Sequence, residues 1–154
     1  MKDSHKFKVW DKKRNLMIDY QGTDLDGDPF IFYLGGDGRL RFLTWDDYHL
    51  NDAPLDPNDF IVLRCTGLRD KKSILIDEGD ILNYTSKKEW KSGDCDRGVV
   101  FWHDELARFG LRFYSIYGGE GYTGKTEHIV DYIRKSKVIG NIYEHPHLVE
   151  GEEQ

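Results

Sequence analysis

Thr66-Gly-Leu-Arg-Asp-Lys-Lys-Ser-Ile-Leu-Ile-Asp-Glu-Gly-Asp-Ile-Leu-Asn-Tyr84 is the stretch whose reading decides the fold class. Short apolar runs, Ser73-Ile-Leu-Ile76 and Ile81-Leu82, alternate with glycines and acids that punctuate strands. Gly67 and Gly79 can take backbone conformations that a β-carbon would penalise, as turns between strands require. Glu78 and Asp80 flank Gly79 where the chain re-enters a strand. Their carboxylates can accept hydrogen bonds from backbone N–H groups in such a turn. An acid pair holding a metal or doing general acid–base chemistry is the rarer use of turn carboxylates.

Working outward, the same pattern repeats. Phe7, Val9 and Trp10 open a strand that the polar turn Asp11-Lys-Lys-Arg-Asn15 closes, and Leu16 to Tyr20 can pair back as a hairpin. Pro29-Phe-Ile-Phe-Tyr-Leu34 and Arg39-Leu-Arg-Phe-Leu-Thr-Trp45 flank Gly35-Gly-Asp-Gly38, a loop able to supply the positive φ values of a tight hairpin. Residues 51–59, with Pro54 and Pro57, read as a loop, and Phe60 to Cys65 as a strand. Residues 87–97 read as a polar connection. Arg97-Gly-Val-Val-Phe-Trp102 and Gly110-Leu-Arg-Phe-Tyr-Ser-Ile-Tyr117 are two more strands, with the charged turn His103-Asp-Glu105 between them. Residues 127–135 form the helix candidate, because Ile129, Val130 and Ile133 share one face. Val138-Ile-Gly-Asn-Ile-Tyr143 is a last strand that Pro146 ends, with Asn141 as a bulge residue whose amide satisfies nearby backbone. The predicted fold class is mainly β: a small barrel- or sandwich-like domain of short antiparallel strands with one short helix near 127–135.

Composition supports this reading. The 154 residues are 38% apolar but 14% aromatic, so large rings supply a good share of the core area. Ala stands only at Ala53 and Ala107, and aromatic and β-branched residues favour strands. The net charge of −6 repels phosphate backbones as a whole and argues against nucleic acid as a partner, while leaving room for a local basic patch. Cys65 and Cys95 give neither metal spacing nor a disulfide framework; Cys65 reads as a small buried residue, and Cys95 between Asp94 and Asp96 as a poor nucleophile. No apolar run approaches the ~20 residues of a membrane span, and the polar start carries no leader-like apolar segment, which predicts a cytoplasmic protein.

Several segments together resemble the YopX family of phage and prophage proteins. Lys6-Phe-Lys-Val-Trp-Asp11 is similar to the family's opening strand. Cys65-Thr-Gly-Leu-Arg-Asp-Lys71 with Ile76-Asp-Glu-Gly-Asp-Ile-Leu82 resembles its central signature, Gly98-Val-Val-Phe101 follows in order, and Val138-Ile-Gly-Asn-Ile-Tyr-Glu-His-Pro146 resembles its closing motif. Two departures stand out: Lys72-Ser73 where the family usually shows an Asn-Gly turn, and His145 where Asn is commoner. The resemblance implies a predominantly β fold encoded by a phage or prophage, in the cytoplasm of its host, and no known activity. It marks Trp10, Asp11, Thr66, Gly67, Glu78, Gly79, Asp80, Gly140, Asn141 and Tyr143 as signature residues with a structural role. It treats 1–154 as one domain, with an N-terminal subdomain 1–60, a core 61–147 and a disordered acidic tail 148–154.

Other motifs compete for function. Gly119-Glu-Gly-Tyr-Thr-Gly-Lys-Thr126 fits the phosphate-binding pattern G-x-x-x-x-G-K-[ST], making Gly119, Gly124, Lys125 and Thr126 nucleotide candidates. Only 28 residues follow Thr126, too few for the parallel β-α units that bury such a loop, so a flexible glycine loop is the better reading. Asp24-Leu-Asp-Gly-Asp28 begins like a calcium loop but has Pro29 and Gly35 where glycine and a carboxylate are needed, so an acidic turn is expected. His145-Pro-His147 with Glu144 and Glu150 lacks a third nitrogen or sulfur ligand nearby. Lys87-Lys-Glu-Trp-Lys91 and Arg134-Lys-Ser-Lys137 are short basic clusters, read as a solvated loop and a helix C-terminus. No catalytic constellation, cofactor or metal is expected. The expected partner is a protein, with homo-oligomerisation motivated by the aromatics and by short strands that leave sheet edges to protect.

Overall fold

The computed structural model describes residues 7–45, 50–84, 97–114, 120–123 and 129–150. Its fold class is the expected one: mainly β, built from short antiparallel strands, with one short helix. The chain divides into two units, Lys6–Leu63 and Arg64–Gln154 with Met1–His5, the boundary falling inside a strand.

The first unit holds β1 (Phe7–Asp11), β2 (Leu16–Asp19), β3 (Gln21–Thr23), β4 (Pro29–Leu34), β5 (Leu40–Trp45), β6 (Leu50–Pro54) and the start of β7 (Phe60–Arg69). The β1–β2 hairpin forms because Asp11 nucleates its turn: Oδ1 accepts from the backbone N–H of Lys13 at 2.9 Å and of Arg14 at 3.0 Å. Asn15 closes that turn at φ 49, a left-handed conformation that asparagine tolerates. β3 to β6 form a meander with Phe32 opposite Phe42 and Leu34 opposite Leu40. Period-two alternation sends Phe30, Phe32 and Phe42 to one face, where they join a core built on Val9, Phe32 and Leu40. On the other face the Tyr33 hydroxyl donates to Asp52 at 2.8 Å, and Arg41 pairs with Asp37 at 3.3 Å.

The expected loop at 51–59 is partly strand. Asn51 to Pro54 belong to β6, with Arg41 opposite Pro54. A polar edge strand ending in proline carries no apolar period, and an edge can tolerate proline because it lacks only one ladder donor there.

The second unit holds the rest of β7, then β8 (Leu75–Asp77), β9 (Asp80–Tyr84), β10 (Arg97–His103), β11 (Arg108–Tyr114), β12 (Glu120–Thr123), α1 (Ile129–Lys135) and β13 (Ser136–Asn141). Five strands form one sheet in the order β12-β11-β10-β9-β13. The turn expected at His103-Asp-Glu105 lies one residue on, a 3-10 turn over Asp104–Leu106 that ends on Ala107 at φ 47, with His103 closing β10. The core is Ile76, Leu82, Val100, Leu111, Phe113, Tyr132 and Ile133. A side chain such as Leu82 or Ile133, buried completely, stabilises the fold by roughly 1.5–3 kcal/mol.

Toward the C-terminal side several details differ from the sequence reading. Helix α1 turns Tyr132 and Ile133 inward and leaves Val130 exposed, so its buried face runs through Tyr132 and Ile133 rather than Val130. The last strand starts at Ser136 and ends at Asn141, two residues before the expected 138–143 at each end. Pro146 therefore does not end a strand; it opens a 3-10 turn over Pro146–Leu148, a place where its missing N–H costs nothing. The bulge falls at Ile139, since Val138 faces Leu82 while Gly140 faces Ile81.

Candidate functional site

The polar chemistry of the second unit converges on the turn between β8 and β9. Gly79 sits at φ +85, and a β-carbon there would lie 3.1 Å from both Asn141 Nδ2 and Tyr143 Cε2. The turn's backbone is stitched to three other segments. The Glu78 N–H donates to Arg64 O at 2.8 Å, the Gly79 N–H to Val100 O at 2.8 Å, and the Ile142 N–H to Gly79 O at 2.9 Å.

The two flanking carboxylates serve the same end. Glu78 Oε2 accepts from the backbone N–H of Arg64 at 3.3 Å and from its guanidinium at 3.2 Å, while Oε1 accepts from the Trp102 N–H at 3.3 Å. The Arg64 guanidinium lies 5.2 Å from the Trp102 ring, which stacks edge-on against Phe109. Asp80 is buried; Oδ2 accepts from the Asp77 N–H at 2.8 Å and Oδ1 from the Asn141 amide at 3.1 Å. That amide also donates to Glu78 O at 3.4 Å, and its oxygen accepts from the Tyr143 N–H at 3.1 Å. Burial, and secondarily the negative charge of Glu78, push the Tyr143 hydroxyl above its ordinary pKa. Glu78, Gly79, Asp80, Asn141 and Tyr143 thus come together as one cluster, and a β-carbon on Gly140 would meet His145 Nδ1 and Leu148 at 3.0 Å beside it.

Thr66 and Gly67 do related work in β7. The register against β8 shifts between Cys65 and Arg69, so Gly67, at φ +73, lies in a bulge inside a strand rather than in a turn between strands. The Thr66 hydroxyl donates to Ile76 O at 2.7 Å and accepts from the Leu68 N–H at 3.0 Å, occupying the groups that the bulge displaces. Cys65 is half-buried rather than buried, and its Sγ accepts from the Gly67 N–H at 3.3 Å. Trp10 and Asp11 are buried in the first unit, apart from this cluster in the chain's division.

Asp70 is the residue that the sequence reading did not single out. It is buried, Oδ1 accepts from the N–H groups of Lys72 at 2.7 Å and Ile74 at 2.9 Å, and Oδ2 accepts from Val138 at 2.9 Å. Burial raises its pKa, but the Val138, Ile74 and Lys72 donors outweigh that and hold the carboxyl below its ordinary value. Ser73, in the place of the expected Asn-Gly glycine, adopts φ 66, so the glycine-type turn is kept without its glycine. The one sequence signal for Asp70 was its position inside Cys65-Thr-Gly-Leu-Arg-Asp-Lys71.

The remaining candidates fall elsewhere. Of the phosphate-loop pattern, Glu120 to Thr123 form β12, paired with β11 through Thr123 opposite Arg112; Gly119, Gly124, Lys125 and Thr126 lie outside the described residues, as do Cys95, Lys87 to Lys91 and residues 151–154. Asp24 Oδ1 accepts from the N–H groups of Asp26 and Asp28, the geometry of an acidic turn. The His145 and His147 rings lie 6.0 Å apart, and His145 Nδ1 accepts from the Asn141 N–H at 3.3 Å. Among the described residues no three His, Cys, Asp or Glu side chains converge as metal ligands do, and no helix is long and apolar enough to cross a membrane.

Two solved structures share this fold at low identity. Protein yopX from Bacillus subtilis matches with a TM-score of 0.57 and 15% identity, over 96% of this chain and 98% of that one. Protein EF1440 from Enterococcus faecalis matches with a TM-score of 0.53 and 23% identity, over 94% and 97%. No curated protein matches the chain. The family described as YopX protein matches residues 6–150, a span that takes in the opening strand, the β8–β9 turn and Asn141, and the chain belongs to that family.

Proposed function

We propose that this is a phage- or prophage-encoded accessory protein, without catalysis of its own, that acts in the host cytoplasm through protein–protein contacts and as a homo-oligomer. The observation that carries this reading is the use made of the signature side chains. Glu78, Asp80 and Asn141 direct their hydrogen bonds to backbone, to one another and, for Glu78, to the Arg64 guanidinium, holding β7, β9, β10 and the end of β13 together. A general base or a metal ligand needs a lone pair aimed at a substrate or ion; these are aimed at the fold. Contact with other chains is supported by sheet edges at β3, β6, β12 and β13, and by exposed Leu16, Leu25 and Leu34.

The test is affinity capture of the tagged protein from host cells, with and without nuclease. A protein partner recovered in fixed stoichiometry and insensitive to nuclease supports the reading. Recovery of nucleic acid alone overturns it. A monomer by light scattering across concentrations removes the oligomeric part.

A further inference from the structure

The basic run Arg134-Lys-Ser-Lys137 looks in sequence like the end of a helix complementing its own dipole. That account covers Arg134 and Lys135, the last turn of α1, and leaves the rest of the charge unexplained. The fold brings a second basic run to the same place. The Lys71 N–H donates to Ser136 O at 3.1 Å, and the Asp70 carboxylate, bonded to Lys72 and Ile74, also takes the Val138 N–H. The β7–β8 turn is therefore fastened along the start of β13. Residues 69–74 and 129–139 together carry six cations, Arg69, Lys71, Lys72, Arg134, Lys135 and Lys137, against Asp70 and Asp131.

Asp70 is buried beneath this strip, whereas Lys71, Lys72, Arg134 and Lys135 are exposed and Lys137 is half-exposed. A protein of net charge −6 has thus gathered cations from three elements onto one surface. Salt screens the distant negative charge beyond a Debye length of about 8 Å, so a ligand at the strip responds to the local sign.

We infer that this strip, formed by the β7–β8 turn, the end of α1 and the start of β13, binds the phosphate backbone of nucleic acid. Flexible lysines on separate elements suit a polyanion of repeating charge, and backbone contacts need nothing else. An acidic protein would also need an apolar centre inside the ring of charge; the strip exposes Ile74, Val130 and Ile139, one on each of its three elements, so competition by polyglutamate is the arm that separates the two kinds of partner. Sequence-independent, salt-sensitive and weak binding is the expected form. Asp70 is a positioning residue here, since its three hydrogen bonds fix where Lys71 and Lys72 stand relative to Lys137. This inference does not rest on the protein-contact reading above, and either can fail alone.

The experiment is fluorescence anisotropy of the full chain with a labelled single-stranded oligonucleotide of about 16 nucleotides. Affinity should fall at least tenfold between about 50 and about 200 mM salt. The triple variant Lys72→Gln, Arg134→Gln, Lys137→Gln should lose at least tenfold in affinity at the lower salt and flatten the salt dependence. Lys72 and Arg134 are exposed and Lys137 is half-exposed, so its melting curve should match the parent's, which keeps a folding defect from imitating the result. The variant Lys87→Gln, Lys88→Gln, Lys91→Gln should bind like the parent. Absence of binding at low salt, or binding that the first triple variant leaves unchanged, overturns the inference. Polyglutamate competing as well as nucleic acid of equal charge also overturns it, in favour of an acidic protein partner.

Discussion

The side-chain amide of Asn141 donates to Oδ1 of Asp80 at 3.1 Å, joining two buried polar side chains that are 61 residues apart in the chain. The same amide group serves Glu78 O and the Tyr143 N–H, so one asparagine satisfies groups on both sides of the Gly79 turn.

Asn141→Ala should lower the stability of the second unit by about 2–3 kcal/mol, because buried donors and acceptors are left without replacement. Asn141→Asp should cost more, since it sets a second carboxylate against buried Asp80. Urea denaturation read on far-ultraviolet circular dichroism checks the order; an Asp variant as stable as the Ala variant would contradict it.

Glycine replacements should separate backbone strain from crowding. Gly79→Ala meets both, at φ +85 with atoms at 3.1 Å, and should cost at least ~2 kcal/mol. Gly67→Ala has the strained φ but open space and should cost about 1 kcal/mol. Gly36→Ala has neither and should stay within about 0.5 kcal/mol of the parent. Thermal melts of the three variants give the ranking directly.

Ser73 holds a left-handed φ of 66 that glycine adopts without penalty. Ser73→Gly should raise stability by about 0.5 kcal/mol, the steric relief being partly offset by the freer unfolded chain. Ser73→Val should lower it, since a β-branched side chain resists this conformation. Equal stability of the Gly and Val variants would refute the assignment of strain.

Asp70 predicts a pH dependence. Its folded pKa is depressed below the ordinary value near 3.9, so its contribution is complete above that value. The contribution is lost as pH falls through the lower, folded value. The stability gap between the parent and Asp70→Ala should therefore be constant from about pH 7 to about pH 5 and narrow below about pH 4. Melting temperatures of both proteins across that range measure it, and a gap that widens toward acid would reverse the sign.

Tyr143 offers a spectroscopic readout of Glu78. Burial and the Glu78 charge both raise its hydroxyl pKa, burial more strongly. Glu78→Gln should lower that pKa while leaving it above an exposed tyrosine's, as followed by the Cζ shift of labelled tyrosine. A Tyr143 titration indifferent to Glu78 would show that their charges do not meet.

How much of this the sequence disclosed depends on how far each side chain reaches. Asp80 announces a turn because its backbone partner, Asp77, stands three residues away, and Asp11 does the same for the β1–β2 hairpin; Glu78 is legible as a turn carboxylate, but its partners Arg64 and Trp102 lie 14 and 24 residues off and are not. Asp70 looked like any polar turn residue, because its third hydrogen bond goes to Val138, 68 residues on. Gly67 was legible as a positive-φ glycine but not as a bulge, which depends on the facing strand's register. β6 and β12 escaped because polar or glycine-rich edge strands show no apolar alternation. Lys71 and Lys137 gave no sign of being neighbours until the Lys71–Ser136 backbone hydrogen bond placed them so.

The position of β9, between β10 and β13, has a consequence for how the protein comes into being. On the ribosome β9 emerges well before β13, and until residues 136–141 appear one of its edges is open and Asp80 lacks the Asn141 amide. Closure of this sheet waits until residues 136–141 have been translated, which makes long-range pairing the slow step of its maturation. The nascent chain must pass through an interval with an unguarded strand edge, the state most exposed to aggregation and to chaperones.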